Sequence, residues 1–124
     1  CSPANNQCTF TGGIIGGAAS VNSYLNAGKY EMYITNNGNV IILRFNKPTA
    51  PFAGMYEITQ NSADIQDGQV YMDIKPAGNL QSTSIGAGKV FISVSGGKAT
   101  AIFCAIPFTY FANNFTVTGM VTEP

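Results

Sequence analysis

The sequence predicts an all-β protein, an antiparallel two-sheet β-sandwich of roughly eight strands. Fourteen glycines and abundant Val, Ile, Thr, Tyr and Phe are typical of strands separated by tight turns. Two turn dipeptides, Asn37-Gly38 and Gly96-Gly97, each interrupt a run of β-forming residues and predict hairpins. No apolar pattern at helical spacing continues for more than about two turns. Uneven loop lengths favour a sandwich over a simple up-and-down barrel.

The chain of 124 residues predicts one domain with a short leader. Residues 1–8 are polar and predict a flexible N-terminal leader, and residues 9–124 predict a single β-sandwich domain. Within 9–21, two glycine pairs stand among small apolar residues and predict a bent or broken first strand.

The clearest hairpin covers residues 29–45. A two-residue turn at Asn37-Gly38 places Thr35 opposite Val40, Tyr33 opposite Ile42 and Glu31 opposite Arg44 on one face. We expect Glu31 and Arg44 to form a surface ion pair, not a catalytic dyad. The other face predicts part of the core: Tyr30, Met32, Ile34, Ile41, Leu43 and Phe45.

A second hairpin covers residues 89–104, and its turn at Gly96-Gly97 places Ser95 opposite Lys98 and Val90 opposite Phe103. One of its faces predicts further core positions: Val90, Ile92, Val94, Ala99, Ala101 and Phe103. The opposite face is apolar near the open end and needs a cover there over Phe91, Ile102 and Cys104.

The remaining strands follow from alternation and from turn residues. Pro48 and Pro51 make residues 46–54 a connection, and a strand follows at 55–60. After a turn at 61–68, residues 69–75 alternate as a strand with Tyr71 and Asp73 outward. The predicted connection 76–88 precedes the second hairpin, and residues 115–122 form the last strand. The inward positions of these two strands are Val70, Met72, Ile74, Phe115, Val117 and Val121.

The three cysteines match no zinc-site spacing. We predict a disulfide between Cys8 and Cys104, because Cys104 lies on the hairpin face that needs a cover and Cys8 opens a small apolar segment that can supply it. A disulfide indicates an oxidising compartment. Three buried, reduced thiols are the alternative.

Cys1 is the first residue of the sequence and is left over by this pairing. A Cys followed by a polar stretch looks like the mature end of a bacterial lipoprotein, in which the signal peptide is cleaved before a lipid-carrying cysteine. Cys1 is therefore the predicted lipidation site. A shortened chain, or a disulfide from Cys1 to Cys8 or Cys104, is the alternative.

The strand-and-turn order of the C-terminal two thirds resembles small β-sandwich domains of secreted or lipid-anchored surface proteins of the Bacteroidota. The segments that carry the resemblance are Gly-Met-Tyr-Glu-Ile-Thr (54–59), Gly-Gln-Val-Tyr-Met-Asp-Ile (68–74), the stretch from Gly86 to Phe103 and Thr-Val-Thr-Gly (116–119). The resemblance implies an outer-membrane, cell-surface or secreted location. It carries over no catalytic residues.

Composition excludes several kinds of chemistry. The chain has no histidine, so Ser-His and Cys-His nucleophilic machinery is ruled out. Zero net charge without a basic cluster argues against nucleic-acid binding. Asp64 and Asp67 are too few for a calcium loop. Glu57 and Asp73, on neighbouring predicted strands, remain the one carboxylate pair to consider for glycoside hydrolysis. We predict no enzyme, no cofactor and no metal.

The expected function is contact with protein partners at the cell surface, as a lipid-anchored accessory subunit of an outer-membrane complex. The candidate contact residues lie on predicted outer faces or loops: Tyr33, Val40, Ile42, Tyr71, Phe91, Tyr110 and Phe111. The alternative is a self-assembling fibre or sheath subunit, in which residues 9–21 add a strand to a neighbouring copy. A carbohydrate-binding module using the exposed aromatic residues is the third reading.

Overall fold

The computed structural model describes residues 1–77, 83–84, 87–110 and 113–124, with the backbone alone at 83, 84 and 110. Its strands are β1 Gln7–Phe10, β2 Gly17–Asn26, β3 Lys29–Asn36, β4 Asn39–Arg44, β5 Gly54–Thr59, β6 Gln69–Lys75, β7 Thr83–Ser84, β8 Lys89–Ser95, β9 Lys98–Tyr110 and β10 Asn113–Thr122. The all-β prediction is confirmed.

Nine of these strands form one closed barrel, in the order β10-β1-β2-β3-β4-β6-β5-β8-β9, with β9 paired back to β10. The short strand β7 pairs with β9 beside the ring. Neighbouring strands in this order are antiparallel except β5 and β6, which are parallel. Each of the nine strands therefore has a neighbour on both sides, although β1 meets β2 only at Gln7–Cys8 and Gly17–Ala18.

The predicted two-sheet sandwich is therefore wrong. The long strand β9 pairs with β8 over residues 98–103 and with β10 over most of its length. It therefore joins β8 and β10 into one continuous sheet. β10 continues the hydrogen bonding into β1, and β1 continues it into β2. Because no pairing is interrupted, the sheet rolls up instead of splitting into two layers.

Both predicted hairpin registers are confirmed. Glu31 lies opposite Arg44 in the first hairpin, and Val90 lies opposite Phe103 in the second. The inward-facing side chains of both hairpins fill the barrel interior, with one exception: Val94 is 49% exposed because it lies next to the turn, beyond the end of the core. Around them the interior contains Val70, Met72, Ile74, Ile106, Phe108, Phe115, Val117 and Val121.

The predicted flexible leader over residues 1–8 is also corrected. Gln7 and Cys8 belong to β1, between β10 and β2, and Asn5 forms a bridge to Met120. The carbonyl of Asn6 accepts a hydrogen bond from the amide of Ala19 at 2.8 Å. The predicted break within residues 9–21 is confirmed, because β1 ends at Phe10 and β2 begins at Gly17. This N-terminal strand is the piece that closes the barrel.

The disulfide joins Cys1 to Cys104, with Cα atoms 6.1 Å apart, and the predicted Cys8–Cys104 pairing is wrong. Cys8 is a free thiol with no exposed surface, and it faces the interior. Burial raises the pKa of the Cys8 thiol to about 11, so it stays protonated. Cys104 follows the inward-facing Phe103 and lies on the outer side of the wall. Cys8 and Cys104 thus lie on opposite sides of the sheet, where no disulfide can reach.

Gly119 is expected to be intolerant of any side chain. A Cβ at this position would lie 2.8 Å from the ring of Phe103 and 2.9 Å from the Cys8 sulfur. We expect Gly119→Ala to lower the free energy of unfolding by about 1–3 kcal/mol through overpacking, measured by urea denaturation. Ser93→Ala, on an exposed strand position, is the matched control. An unchanged midpoint in the glycine variant would contradict this packing.

Candidate docking surface

Three rows of outward-facing side chains cross the four neighbouring strands β2, β3, β4 and β6. Residues directly opposite each other in adjacent strands share a face, so the registers define the rows. They read Tyr24-Glu31-Arg44-Tyr71, Asn22-Tyr33-Ile42-Asp73 and Ser20-Thr35-Val40-Lys75. We call the aromatic and aliphatic side chains here, together with the arginine, the tyrosine wall: Tyr24, Tyr33, Val40, Ile42, Arg44 and Tyr71.

The aromatic side chains of the tyrosine wall are held by one another. The rings of Tyr24 and Tyr33 meet edge to face with their centroids 5.7 Å apart. The guanidinium carbon of Arg44 lies 5.6 Å from the centroid of the Tyr71 ring, in a cation–π contact. These two contacts fix the orientation of four side chains of the tyrosine wall.

An ion pair lies at the centre of the first row. The Arg44 Nε donates a hydrogen bond to the Glu31 carboxylate, which also accepts one from the Asn26 amide at 3.4 Å. Glu31 is only 5% exposed. The predicted partners are confirmed, but the prediction of a surface pair is wrong, because this carboxylate is buried.

The segment 60–68 crosses the outside of the barrel near this ion pair. It links the adjacent parallel strands β5 and β6, so it has to run back along the outside of the barrel. Lys29 Nζ donates to the Ala63 carbonyl at 3.1 Å, and the Asn46 amide donates to Asp67 at 2.6 Å. The crossover thus reaches the start of β3 and the end of β4, and Ile65 is buried within it.

Burial and neighbouring charges act on the pKa of the Tyr71 hydroxyl. Burial and then the neighbouring Asp73 carboxylate raise the pKa of Tyr71, while Arg44 lowers it, and the net direction is upward. Asp73 lies on the outer face as predicted, but it is buried there at 8% exposure. Tyr71 therefore offers a hydroxyl that can donate or accept a hydrogen bond at the edge of an apolar surface.

The structure brings together four of the seven predicted contact residues: Tyr33, Val40, Ile42 and Tyr71. Phe91 lies elsewhere, on β8, 47% exposed and opposite Met55. Tyr110 is described by its backbone alone, at the end of β9, and Phe111 lies outside the described residues.

Sequence reasoning missed two members of the tyrosine wall. Tyr24 was missed because the predicted first strand lies within residues 9–21, and residues 22–28 belong to no predicted element. The signal was Ala27-Gly28, which forms a two-residue turn with both φ angles positive between β2 and β3. Arg44 was predicted only as the partner of Glu31, although arginine and tyrosine are both enriched at contact surfaces.

The carboxylates of the described residues do not converge on a reaction centre. Glu57 lies opposite Gln69, and Asp73 is four residues further along the same strand, about 13 Å away. That separation exceeds the 5–10 Å or so between paired glycosidase carboxylates. Asp64 and Asp67 accept hydrogen bonds from Gln66 and Asn46. No group of three metal-ligating side chains occurs in the described part of the chain.

Among the described residues there is also no helix with the length and apolar character needed to cross a membrane. Compared with family models, curated proteins and solved structures, the chain has no significant match.

Proposed function

We propose that this chain is a non-catalytic, extracytoplasmic domain that works by contact, as an accessory subunit of a protein complex at the cell surface. The observation that carries the proposal is the tyrosine wall. Residues chosen from three separate predicted strands meet on one continuous outer surface, joined there by Tyr24 and Arg44.

The composition of this surface suits a protein partner. Tyrosine and arginine are the side chains that most often dominate the energy of protein interfaces. The Tyr24–Tyr33 contact and the Arg44–Tyr71 contact keep four of these side chains in place, which lowers the entropic cost of docking. Val40 and Ile42 provide apolar area between them. A disulfide is consistent with an oxidising location outside the cytoplasm.

The disulfide limits the ways in which the chain can be attached to the cell surface. The Cys1 sulfur lies in the disulfide with Cys104, and a lipid thioether would need the same sulfur. Lipidation at Cys1 and this disulfide are therefore mutually exclusive in one molecule. We propose attachment through a protein partner, and a lipid-sized added mass on Cys1 would show anchoring by lipid instead.

Strand addition to a neighbouring copy fits the barrel poorly. The donor segment at residues 9–21 would have to give up the pairing of β1 with β10 and of β2 with β3 within its own barrel. We therefore do not propose the fibre or sheath subunit.

The test is cross-linking on the native cell surface, followed by quantitative mass spectrometry of what is captured. We compare wild type with Tyr33→Ser/Tyr71→Ser, and use Phe91→Ser on another wall as the matched control. Losing two anchor side chains is expected to reduce capture of the specific partner at least about tenfold, while the control keeps it. Equal thermal midpoints in all three proteins would show that folding is intact.

Two outcomes contradict the proposal. Undiminished capture of the same partner by the double variant would place the docking surface elsewhere. Loss of that partner in Phe91→Ser alone would move it to the β8 side of the barrel.

A further inference from the structure

A cavity of about 360 Å³ opens at one end of the barrel. It lies among the connections that meet at this end: the loop between β1 and β2, the turn between β3 and β4, the residues after β6, and the start of β10. Four asparagines line it, together with Gly12, Gly13, Ile14, Ile15, Pro76, Ala77 and Phe115. The asparagines are Asn37, Asn39, Asn113 and Asn114.

The described lining of this cavity carries no charged side chain. No described lining residue is ionisable as an acid or a base. The sequence contains no Asp, Glu, Lys, Arg or His anywhere in residues 1–28, 76–88 or 105–122. The nearest charged residues along the chain are Lys75 and Lys89, at strand ends that are exposed to solvent.

Two buried asparagines make the mouth of the cavity rigid. Asn39, at 1% exposure, donates to the Ile15 carbonyl at 2.9 Å and accepts from the Ala77 amide at 2.8 Å. Asn36, opposite Asn39 in the ladder and equally buried, donates to the carbonyls of Gly17 and Ala18. These bonds tie three connections together, so the cavity exists before a ligand arrives.

The cavity has an apolar floor and a polar rim. Phe115 is 4% exposed and stacks on Phe108, with ring centroids 5.7 Å apart. Ile14 is half-buried and Ile15 is 71% exposed. Asn113 and Asn114 are exposed, and their side chains make no hydrogen bond with another described residue. Each carboxamide can donate and accept at once.

We propose that this cavity binds a neutral saccharide. A sugar ring has an apolar C–H face, which can pack against the side of the cavity formed by Ile14 and Phe115. Its hydroxyls need both hydrogen-bond donors and acceptors, and the asparagine carboxamides supply both. An ionic ligand would find no opposite charge among the described lining residues. A purely apolar ligand would desolvate the carboxamides without returning hydrogen bonds. None of the described lining residues belongs to the tyrosine wall.

The experiment measures binding of glucose, galactose, mannose, N-acetylglucosamine, cellobiose, lactose and chitobiose by calorimetry and saturation-transfer NMR. We expect saturable binding of at least one of them. Asn113→Ala/Asn114→Ala should weaken it about tenfold or more, because two hydrogen-bonding side chains are lost. Because the ligand is neutral, the affinity should change less than about twofold between low and high salt.

Phe52→Ala is the control, since Phe52 is 78% exposed and lines a different pocket, beside Phe45, Asn46, Lys47 and Asp67. It should leave saccharide binding unchanged. The proposal is overturned if no sugar binds saturably, if the asparagine variant binds like wild type, or if Phe52→Ala abolishes binding. Tighter, salt-sensitive binding of glucuronate, or binding of blocked tetra-alanine instead of any sugar, would also overturn it.

Discussion

Replacing Cys104 by serine is expected to lower the free energy of unfolding by about 4–5 kcal/mol, the largest single effect we predict for this chain. The Cys1–Cys104 disulfide spans 103 residues of sequence, so it restricts the unfolded chain over nearly its whole length. On the loop-entropy model, a loop of this size stabilises the folded state by this amount. Guanidinium denaturation of wild type and Cys104→Ser measures the difference.

The connectivity itself is tested by mass spectrometry. A tryptic digest links residues 1–29 to residues 99–124, and fragmentation between Pro3 and Cys8 shows which sulfur is bonded. Cys8→Ala is the matched control and should keep the linkage. In the folded protein, Cys8 should not react with iodoacetamide at neutral pH, because it is buried and its pKa is raised to about 11. A bond to Cys8, or a lipid on Cys1, would contradict the pairing.

Arg44→Met is expected to lower the free energy of unfolding by about 3 kcal/mol. The substitution keeps most of the apolar stem but leaves the Glu31 carboxylate buried without its cation. An uncompensated buried charge costs far more than the loss of an exposed pair, which is worth about 1 kcal/mol or less. Urea denaturation at neutral pH measures the loss.

The control for this prediction is the double variant Glu31→Gln/Arg44→Met. Removing the unpaired Glu31 charge should recover at least half of the lost stability, because the cost comes from the buried carboxylate and not from missing apolar contacts. A loss below about 0.5 kcal/mol in Arg44→Met would show that Glu31 is solvated after all, as in an ordinary surface pair.

The strand registers could be predicted because they depend on local chemistry. The dipeptides at 37–38 and 96–97 allow both central residues positive φ angles, and the observed values there are all positive. Once each turn is set, the alternation of side chains decides which residues face inward. The Glu31–Arg44 pairing and the gathering of Tyr33 with Ile42 follow directly from that register.

The burial of Glu31 could not be predicted in the same way. It depends on what packs against the outer face near the start of β3, where the 60–68 crossover passes, and the parallel pairing of β5 with β6 that places this crossover has no signal in the turn residues. The tyrosine wall could be predicted from the sequence only in part, for a related reason. The turn residues do not determine which strand pairs with β6, and in the structure this strand is β4.

The amino-acid sequence by itself determined the strand-rich class, the two hairpins and the inward and outward faces of most strands, since turn residues and alternation act over a few neighbouring positions. Only the tertiary structure decided that the sheet closes into a barrel and that Cys1, not Cys8, reaches Cys104. Both outcomes depend on the N-terminal strand inserting between β10 and β2, a contact across more than 100 residues. Local patterns do not encode such a contact, because its free energy comes from the packing of the whole core.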